Sequence, residues 1–138
     1  MSKLRIRSEC EVYNQKKFWT VITYKDRAGN DEIAEYIQDL NIKMLTNKDA
    51  RIRYKKIVEY IGQLQTYGLA AGEPAIKQIK GTELWELRPI RDRIFFAYWK
   101  DNTFVLLHHF MKKTQKTPPQ EIDQAQSKLK DFRERFGE

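Results

Sequence analysis

Most of the excess positive charge of the chain lies in about one fifth of its length, between positions 88 and 116. That stretch holds seven Lys or Arg residues against Asp92 and Asp101, a balance of +5 in a chain whose net charge is +7. The basic residues are Arg88, Arg91, Arg93, Lys100, Lys112, Lys113 and Lys116. Lys and Arg bind polyphosphates because neutralising the phosphates releases counterions, and Arg also presents a planar fork to each phosphate. The segment therefore predicts a surface for a phosphate-rich partner.

The two histidines, His108 and His109, are adjacent in a strand pattern, so their side chains point to opposite faces of the sheet. Two neighbouring strand residues cannot close on one ion, and no Cys or carboxylate cluster accompanies them, so we expect no metal site. A proton-carrying role for one of them stays open beside a structural role, because imidazole titrates near neutral pH. The chain has no Gly-rich phosphate loop, dinucleotide fingerprint or nucleophile motif, which argues against nucleotide-driven and acyl-transfer chemistry.

RNA cleavage is a chemistry that a cluster of cations supports. The 2′-hydroxyl of RNA can attack the neighbouring phosphate, and an enzyme needs to hold the reacting atoms in line and offset the charge on the phosphate oxygens. Arg and Lys do this without a metal ion, and each preorganised donor contributes about 3–4 kcal/mol. We therefore expect no cofactor.

The elements that position these residues begin with a strand at 18–24 and a turn at 25–30, after which Asn30 or Asp31 caps a helix. A second helix starts at Asp49 and ends at Gly68. Apolar residues recur every three or four positions in both helices, which predicts an antiparallel helical hairpin with a buried stripe. The stripes are Ile33, Tyr36, Ile37, Leu40 and Met44, then Tyr54, Ile57, Val58, Ile61 and Leu64.

A sheet and a final helix make up the rest of the chain. Residues 76–80 predict a short strand, and 84–88, 93–99 and 103–111 predict three longer strands whose short loops favour an antiparallel meander. The last helix starts at Thr117, and its apolar seam is Ile122, Ala125, Leu129, Phe132 and Phe136. We expect an α+β fold: an N-terminal helical hairpin packed on an antiparallel sheet of about four to five strands, with a C-terminal helix.

Strand alternation places Arg91 and Arg93 on the face of Phe95, and Arg88 in register with Glu86. Arg88 and Arg93 lie on adjacent strands and can converge at a strand end. More cations reach the same edge of the sheet from Lys112, Lys113 and Lys116. A concave basic groove follows from this arrangement.

Length and composition favour one domain at 18–138, preceded by an N-terminal extension at 1–17 that has little periodicity. The lone Cys10 excludes an internal disulfide framework and fits a reducing cytosol. No apolar run approaches the ~18 residues of a transmembrane helix, and the first ten residues lack the apolar centre of a signal peptide. We expect a cytoplasmic protein without membrane contact.

The blocks LWELRPIRDRIFFAYW and FVLLHHFMKKTQKTP, followed by the helix EIDQAQSKLKDF, resemble the phage-derived, HigB-like branch of the RelE/ParE toxin superfamily. The resemblance covers about residues 18–136. It implies the toxin of a type II toxin–antitoxin system, which cleaves messenger RNA in the A site of the 70S ribosome without metal. It also implies a HigA-like helix-turn-helix antitoxin, encoded next to the toxin and able to form a heterotetramer with it.

Residue by residue, the resemblance implies that the phosphate-binding arginines of the family correspond to Arg88 and Arg93. The basic residues of its terminal strand correspond to Lys112 and Lys113. Glu86 falls where related toxins hold a polar or basic site residue. The family varies in its general base, and the last helix here lacks a match for the C-terminal tyrosine of some members. The catalytic candidates are thus Arg88, Arg93, Lys113, Lys112 and His108, and the RNA-binding candidates are Arg91, Lys116, Glu86 and His109.

Two other functions stay open at this point. A ParE-like inhibitor of DNA gyrase would share the fold and act through protein contact alone. A non-catalytic phage module that binds nucleic acid would need only the basic surface. The density of basic residues at one strand edge favours the ribonuclease.

Overall fold

The computed structural model describes residues 2–3 and 18–138. Cys10 and the predicted extension at 1–17 lie outside the described residues, except for the two residues of the first strand. The strands are β1 (Ser2–Lys3), β2 (Thr20–Thr23), β3 (Ile76–Gln78), β4 (Trp85–Leu87), β5 (Asp92–Tyr98) and β6 (Thr103–Met111). The helices are α1 (Glu32–Lys43), α2 (Lys48–Tyr67) and α3 (Pro119–Phe136), and a 3-10 turn (Gly68–Ala71) follows α2.

The strands form one six-stranded sheet in the order β1-β2-β6-β5-β4-β3. The pairs β3–β4, β4–β5 and β5–β6 are antiparallel, so the predicted meander is confirmed. β2 runs parallel to β6, from Thr20 opposite Thr103 to Thr23 opposite Leu106. The α+β fold is confirmed, and the expectation of a wholly antiparallel sheet is corrected at this pair. Parallel neighbours need a long crossover, which the chain from α1 to β5 supplies here.

Side-chain caps fix the starts of the two N-terminal helices. The Asp31 carboxylate accepts the backbone N–H of Ala34 at 3.1 Å and the Thr23 hydroxyl at 2.6 Å, so it also ties α1 to β2. Asn47 caps α2 by accepting the N–H of Ala50 at 2.9 Å, which starts the helix one residue before the predicted Asp49.

Gly68 ends α2 as predicted, with a backbone φ of +59°. A Cβ at this position would lie 2.8 Å from Cε2 of the Trp19 indole. Glycine is therefore required both by the backbone conformation and by the close approach of Trp19.

The sheet separates two apolar cores. The first lies between the sheet and the α1–α2 hairpin and contains most of the predicted helix stripes: Ile33, Ile37, Leu40, Ile57, Val58, Ile61 and Leu64 are buried in it, Tyr36 and Tyr54 pack against it, and Met44 is not part of it. The second lies between the opposite face and α3 and includes Ile22, Leu84, Phe95, Ala97, Val105, Leu107, Ala125, Leu129 and Phe132. β5 is buried at every position but its last, so the two charged residues that begin it, Asp92 and Arg93, are buried too. Among the described residues, no helix has both the length and the apolar character needed to cross a bilayer.

Candidate active site

Arg88 and Arg93 converge on the carboxylate of Glu86. The Oε1 atom of Glu86 lies 3.4 Å from Nε of Arg88 and 3.8 Å from Nε of Arg93. β4 and β5 are antiparallel, with Glu86 opposite Phe95, so residues just past the end of β4 meet residues at the start of β5. We call these three residues the arginine cluster. It lies on the side of the sheet that packs against α3, because Phe95 belongs to the α3 core.

Arg93 is the most buried cation of the cluster, with 8% of its surface exposed. Its Nη1 donates to the carbonyl oxygens of Ile90 at 2.7 Å and Asp92 at 2.8 Å. Burial lowers the pKa of the Arg93 guanidinium, the Glu86 carboxylate opposes this shift, and Arg88 adds to it. Arginine nevertheless stays protonated in proteins, so the cluster keeps a fixed positive charge.

Two donors of the arginine cluster are incompletely paired. The Nε atoms of Arg88 and Arg93 are buried, and neither makes a hydrogen bond within the described part of the chain, although both face Glu86. A buried donor without an acceptor is costly, so an acceptor that reaches these two Nε groups would bind favourably. Two guanidinium groups around one buried carboxylate leave a net charge of about +1, which the exposed carboxylate of Glu73, 3.4 Å from Nη1 of Arg88, offsets only in part because water screens it. An anion such as a phosphate suits this arrangement.

Glu86 connects the arginine cluster to the segment before α3. Its side chain is only 4% exposed, and its Oε2 accepts the Thr117 hydroxyl at 3.5 Å. The sequence suggested Glu86 as an RNA contact; the structure places it between the two arginines as their shared counter-ion. It is also the carboxylate of the cluster, and so the group there able to accept a proton.

The lysine loop, residues 112–116, leads from the end of β6 towards Thr117. The backbone N–H of Lys112 donates to the carbonyl of Arg91 at 2.8 Å, which holds the start of the loop beside the β4–β5 connection. Lys112 is half-buried, whereas Lys113 and Lys116 are exposed. Within the described residues these three ammonium groups form no ion pair. The loop thus places three ammonium groups, none of them paired with a carboxylate of the described residues, next to the arginine cluster.

Arg91 does not join Arg93, contrary to the expectation from strand alternation. Its Nη2 lies 2.6 Å from Oδ1 of Asp49, at the first turn of α2. The alternation fails because β5 begins only at Asp92, and Ile90 before it has a φ of +52°, which is not strand backbone. Arg91 therefore lies at the edge of the helical hairpin, outside the arginine cluster.

His108 lies beneath α3, on the same side of the sheet as the arginine cluster. Phe95 on β5 pairs with Glu86 on β4 and with His108 on β6. Glu86 and His108 are therefore two strand spacings apart, about 10 Å. The His108 Nε2 lies 3.4 Å from both carboxylate oxygens of Glu121, and its Nδ1 lies 2.9 Å from the ammonium of Lys128. Lys128 can only donate, so Nδ1 accepts and Nε2 carries the proton of a neutral ring.

The environment of His108 disfavours its charged form. Burial lowers the pKa of His108, the positive charge of Lys128 lowers it further, and Glu121 opposes both. The structure therefore does not bring this histidine into contact with the two arginines. The catalytic role that the sequence suggested for His108 stays a prediction. It would require α3 to move, because Glu121 and Lys128 of that helix cover the ring.

His109 lies on the opposite face, under the helical hairpin. Its ring stacks on Tyr36 with centroids 3.6 Å apart, and its Nε2 lies 3.0 Å from Oδ1 of Asp92. Asp92 is fully buried and also accepts from Arg53 at 2.9 and 3.1 Å and from the Tyr36 hydroxyl. This Asp92 network fastens the start of β5 to both helices, and the carbonyl of Asp92 in turn holds Arg93.

Sequence reasoning missed the Asp92 network. Asp92 counted only as an acid that offset part of the basic run, and Tyr36 only as a core residue. The available signal was an acidic residue placed between two arginines at the start of a strand that is apolar on both faces, since a buried charge there needs a partner. Among residues 2–3 and 18–138, no group of three or more His, Cys, Asp or Glu side chains is arranged to hold a metal ion.

The helical hairpin, the sheet and the C-terminal helix together define a RelE-like α+β protein with a basic cluster at one end of its central strands. The family model described as phage derived protein Gp49-like (DUF891) matches residues 41–130, roughly two thirds of the chain, and the chain belongs to this family. The match includes the arginine cluster and the lysine loop. The Gp49-like family is one of the RelE/HigB-like toxins, so the predicted toxin–antitoxin class is confirmed at that level. No curated protein matches the chain.

Proposed function

We propose that this protein is the toxin of a type II toxin–antitoxin system and acts as a ribosome-dependent, metal-independent endoribonuclease. The observation that carries the proposal is the arginine cluster: two guanidinium groups on one buried carboxylate, with both Nε donors incompletely paired. The adjoining lysine loop adds three ammonium groups without ion-pair partners among the described residues. Membership of a toxin family supports the same reading.

In the proposed reaction, the 2′-oxygen of one nucleotide forms a bond to the adjacent phosphorus while the bond to the 5′-oxygen breaks. Glu86 is the carboxylate placed to take the 2′-hydroxyl proton, and Arg88 and Arg93 offset the charge on the phosphate oxygens. Lys112 or Lys113 supplies a proton to the leaving 5′-oxygen. The products are a 2′,3′-cyclic phosphate and a 5′-hydroxyl.

The surrounding basic residues would hold the message rather than react with it. Lys116 lies in the exposed loop next to the arginine cluster, and Arg91 extends positive charge towards the hairpin edge. His109 is an RNA-binding candidate from sequence, although its ring is stacked on Tyr36 and faces Asp92. We further propose a cytoplasmic location and a HigA-like helix-turn-helix antitoxin encoded next to the toxin, with which it forms a heterotetramer.

The experiment that tests this function uses 70S ribosomes programmed with an end-labelled message. The purified protein should cleave the message on ribosomes, and treating the upstream product with acid and phosphatase should reveal a cyclic phosphate end. A message with a single 2′-deoxynucleotide at the cleavage position should resist cleavage there and remain cleavable elsewhere. Cleavage at the deoxynucleotide, or a 3′-hydroxyl product, would contradict attack by the 2′-oxygen.

The gyrase alternative has its own readout in the same preparation. A ParE-like inhibitor would stabilise cleaved DNA–gyrase complexes and would leave the programmed message intact. Stabilised DNA–gyrase complexes together with an intact message would replace the ribonuclease proposal.

A further inference from the structure

Ile90 has an unusual backbone conformation in the loop that joins the two arginines of the cluster. Its φ is +52°, in the left-handed region that β-branched residues rarely adopt. The other described non-glycine residues with positive φ are Asp101 and Asn102, in the turn between β5 and β6. Asp and Asn tolerate that backbone, whereas Ile does not. Glycine or asparagine at position 90 would adopt the same conformation at lower cost.

The hydrogen bond that the Ile90 carbonyl accepts accounts for the backbone conformation at this position. It does not account for the presence of an isoleucine side chain there. That carbonyl accepts from Nη1 of Arg93 at 2.7 Å, so the turn at Ile90 helps to orient the buried guanidinium. Any residue could supply the carbonyl. The Ile90 side chain, however, is 47% exposed and belongs to neither core. A side chain whose backbone conformation costs free energy and which joins neither core contributes little to stability, which points to a contact outside the protein.

We propose that the Ile90 side chain packs against a nucleobase next to the phosphate held by Arg88 and Arg93. This inference rests on the proposed function, and it makes Ile90 a residue that sets nucleotide preference. An RNA phosphate is flanked by bases whose flat faces are apolar, and an exposed aliphatic side chain beside a phosphate-binding group meets such a face. The hydrogen bond that Arg93 donates to the Ile90 carbonyl keeps this residue beside the guanidinium that holds the phosphate.

The test compares Ile90→Gly with Ile90→Val, and uses Leu45→Ala as a matched control. Gly keeps the backbone and its carbonyl while removing the side chain, and Val retains most of the apolar contact. Leu45 is 80% exposed in the turn between α1 and α2, so its replacement removes exposed apolar surface away from the arginine cluster. The measurements are the melting temperature, the affinity for ribosomes carrying a message with a 2′-deoxynucleotide at the cleavage position, and the nucleotide preference around the cut on all-ribose messages.

We expect Ile90→Gly to melt at or above the wild-type temperature, to bind the programmed ribosome about tenfold more weakly, and to cut with a flattened nucleotide preference. Ile90→Val should restore most of the affinity and preference, and Leu45→Ala should match the wild type. The loss should fall on KM more than on kcat, because the side chain contacts a part of the substrate that does not react.

Three outcomes would overturn the inference. If Ile90→Gly binds and cuts with the wild-type preference, the inference fails while the proposed function stands. If the same variant loses antitoxin binding and keeps its RNA behaviour, Ile90 belongs to a protein interface. If the wild-type protein cleaves no message, the proposed function and the inference fall together.

Discussion

Arg53 holds the fully buried carboxylate of Asp92 through two bonds, Nη2 to Oδ1 at 2.9 Å and Nε to Oδ2 at 3.1 Å. A buried carboxylate keeps its charge only with such partners, and removing one of them leaves the charge uncompensated. The ion pair of Arg53 with Asp92 therefore provides much of the polar contact between α2 and β5.

Arg53→Ala should lower the free energy of unfolding by about 3–5 kcal/mol, the usual cost of removing one partner from a buried ion pair. Urea denaturation at neutral pH measures this. Arg51→Ala is the control on the same helix, because Arg51 has no ion pair within the described residues and should change stability by less than about 0.5 kcal/mol. Equal effects of the two substitutions would show that the Asp92 network does not support the fold.

Arg93→Ala should reduce message cleavage on programmed ribosomes by about 10²–10³-fold, because it removes a fixed donor from the phosphate site. Arg88→Ala should have a milder effect, since that guanidinium is more exposed. Arg91→Ala is the matched control from the same loop. Arg91 is paired with Asp49 at the hairpin edge and would only help to hold the message, so Arg91→Ala should reduce cleavage by less than about fivefold.

Circular dichroism must show an unchanged fold in all three variants for this comparison to count. Wild-type cleavage rates in both the Arg88 and Arg93 variants would remove the arginine cluster from the mechanism.

The depressed pKa of His108 makes stability depend on pH. Below about pH 6.5 the unfolded chain binds a proton at this histidine before the folded protein does, so stability falls as the pH drops through this window. Above that window both states are neutral and the histidine contributes no pH dependence. His108→Gln should therefore flatten the curve of melting temperature against pH below about pH 6.5.

His109→Gln provides the comparison for that curve, because it removes the other histidine and leaves His108 under α3 with Glu121, Lys128 and the nearby Glu32. It should retain the slope that His108 produces. An unchanged slope in the His108 variant would show that this histidine titrates alike in the folded and unfolded states.

Replacing Lys112, Lys113 and Lys116 together by Ala should reduce the salt dependence of RNA binding. Removing one phosphate interaction lowers the slope of log K against log salt by about 0.7 for single-stranded RNA, so removing three would lower it by about 2. Lys55→Ala, on the exposed side of α2, is the control. An unchanged slope in the triple variant, measured by binding to a single-stranded oligonucleotide, would show that the lysine loop does not touch the message.

Gly68→Ala should destabilise the protein more than Gly81→Ala. Both glycines have positive φ, so alanine costs about 1–2 kcal/mol at each. At Gly68 the new Cβ would also meet the Trp19 indole at 2.8 Å, whereas nothing lies within 4 Å of a Cβ at Gly81. The clash should add about 1–3 kcal/mol, which thermal unfolding of the two variants would resolve. Equal losses of stability would show that Trp19 moves aside freely.

Local patterns predicted the parts of the fold that depend on local interactions. The helix stripes and the strand meander follow from periodicity and loop length, and the arginines at positions 88 and 93 meet because they flank a short antiparallel connection. The parallel pairing of β2 with β6 has no local signal, since a four-residue strand does not encode its neighbour. The Asp92 network has no local signal either, because it joins Asp92 to residues 39 and 56 positions away. Arg91 lies on the opposite face of the sheet from the one predicted because the backbone at Ile90 has a positive φ, which the strand pattern does not reveal.

The parallel pair of β2 with β6 also sets the order in which the molecule can be completed during synthesis. Thr20 leaves the ribosome long before its neighbour Thr103, and the helical hairpin emerges between them with its apolar side uncovered. The sheet cannot close until most of the chain exists, a high contact order that slows folding. Because the lysine loop follows β6 and α3 follows the loop, the arginine cluster and the lysine loop come together only after nearly all of the described chain has been synthesised.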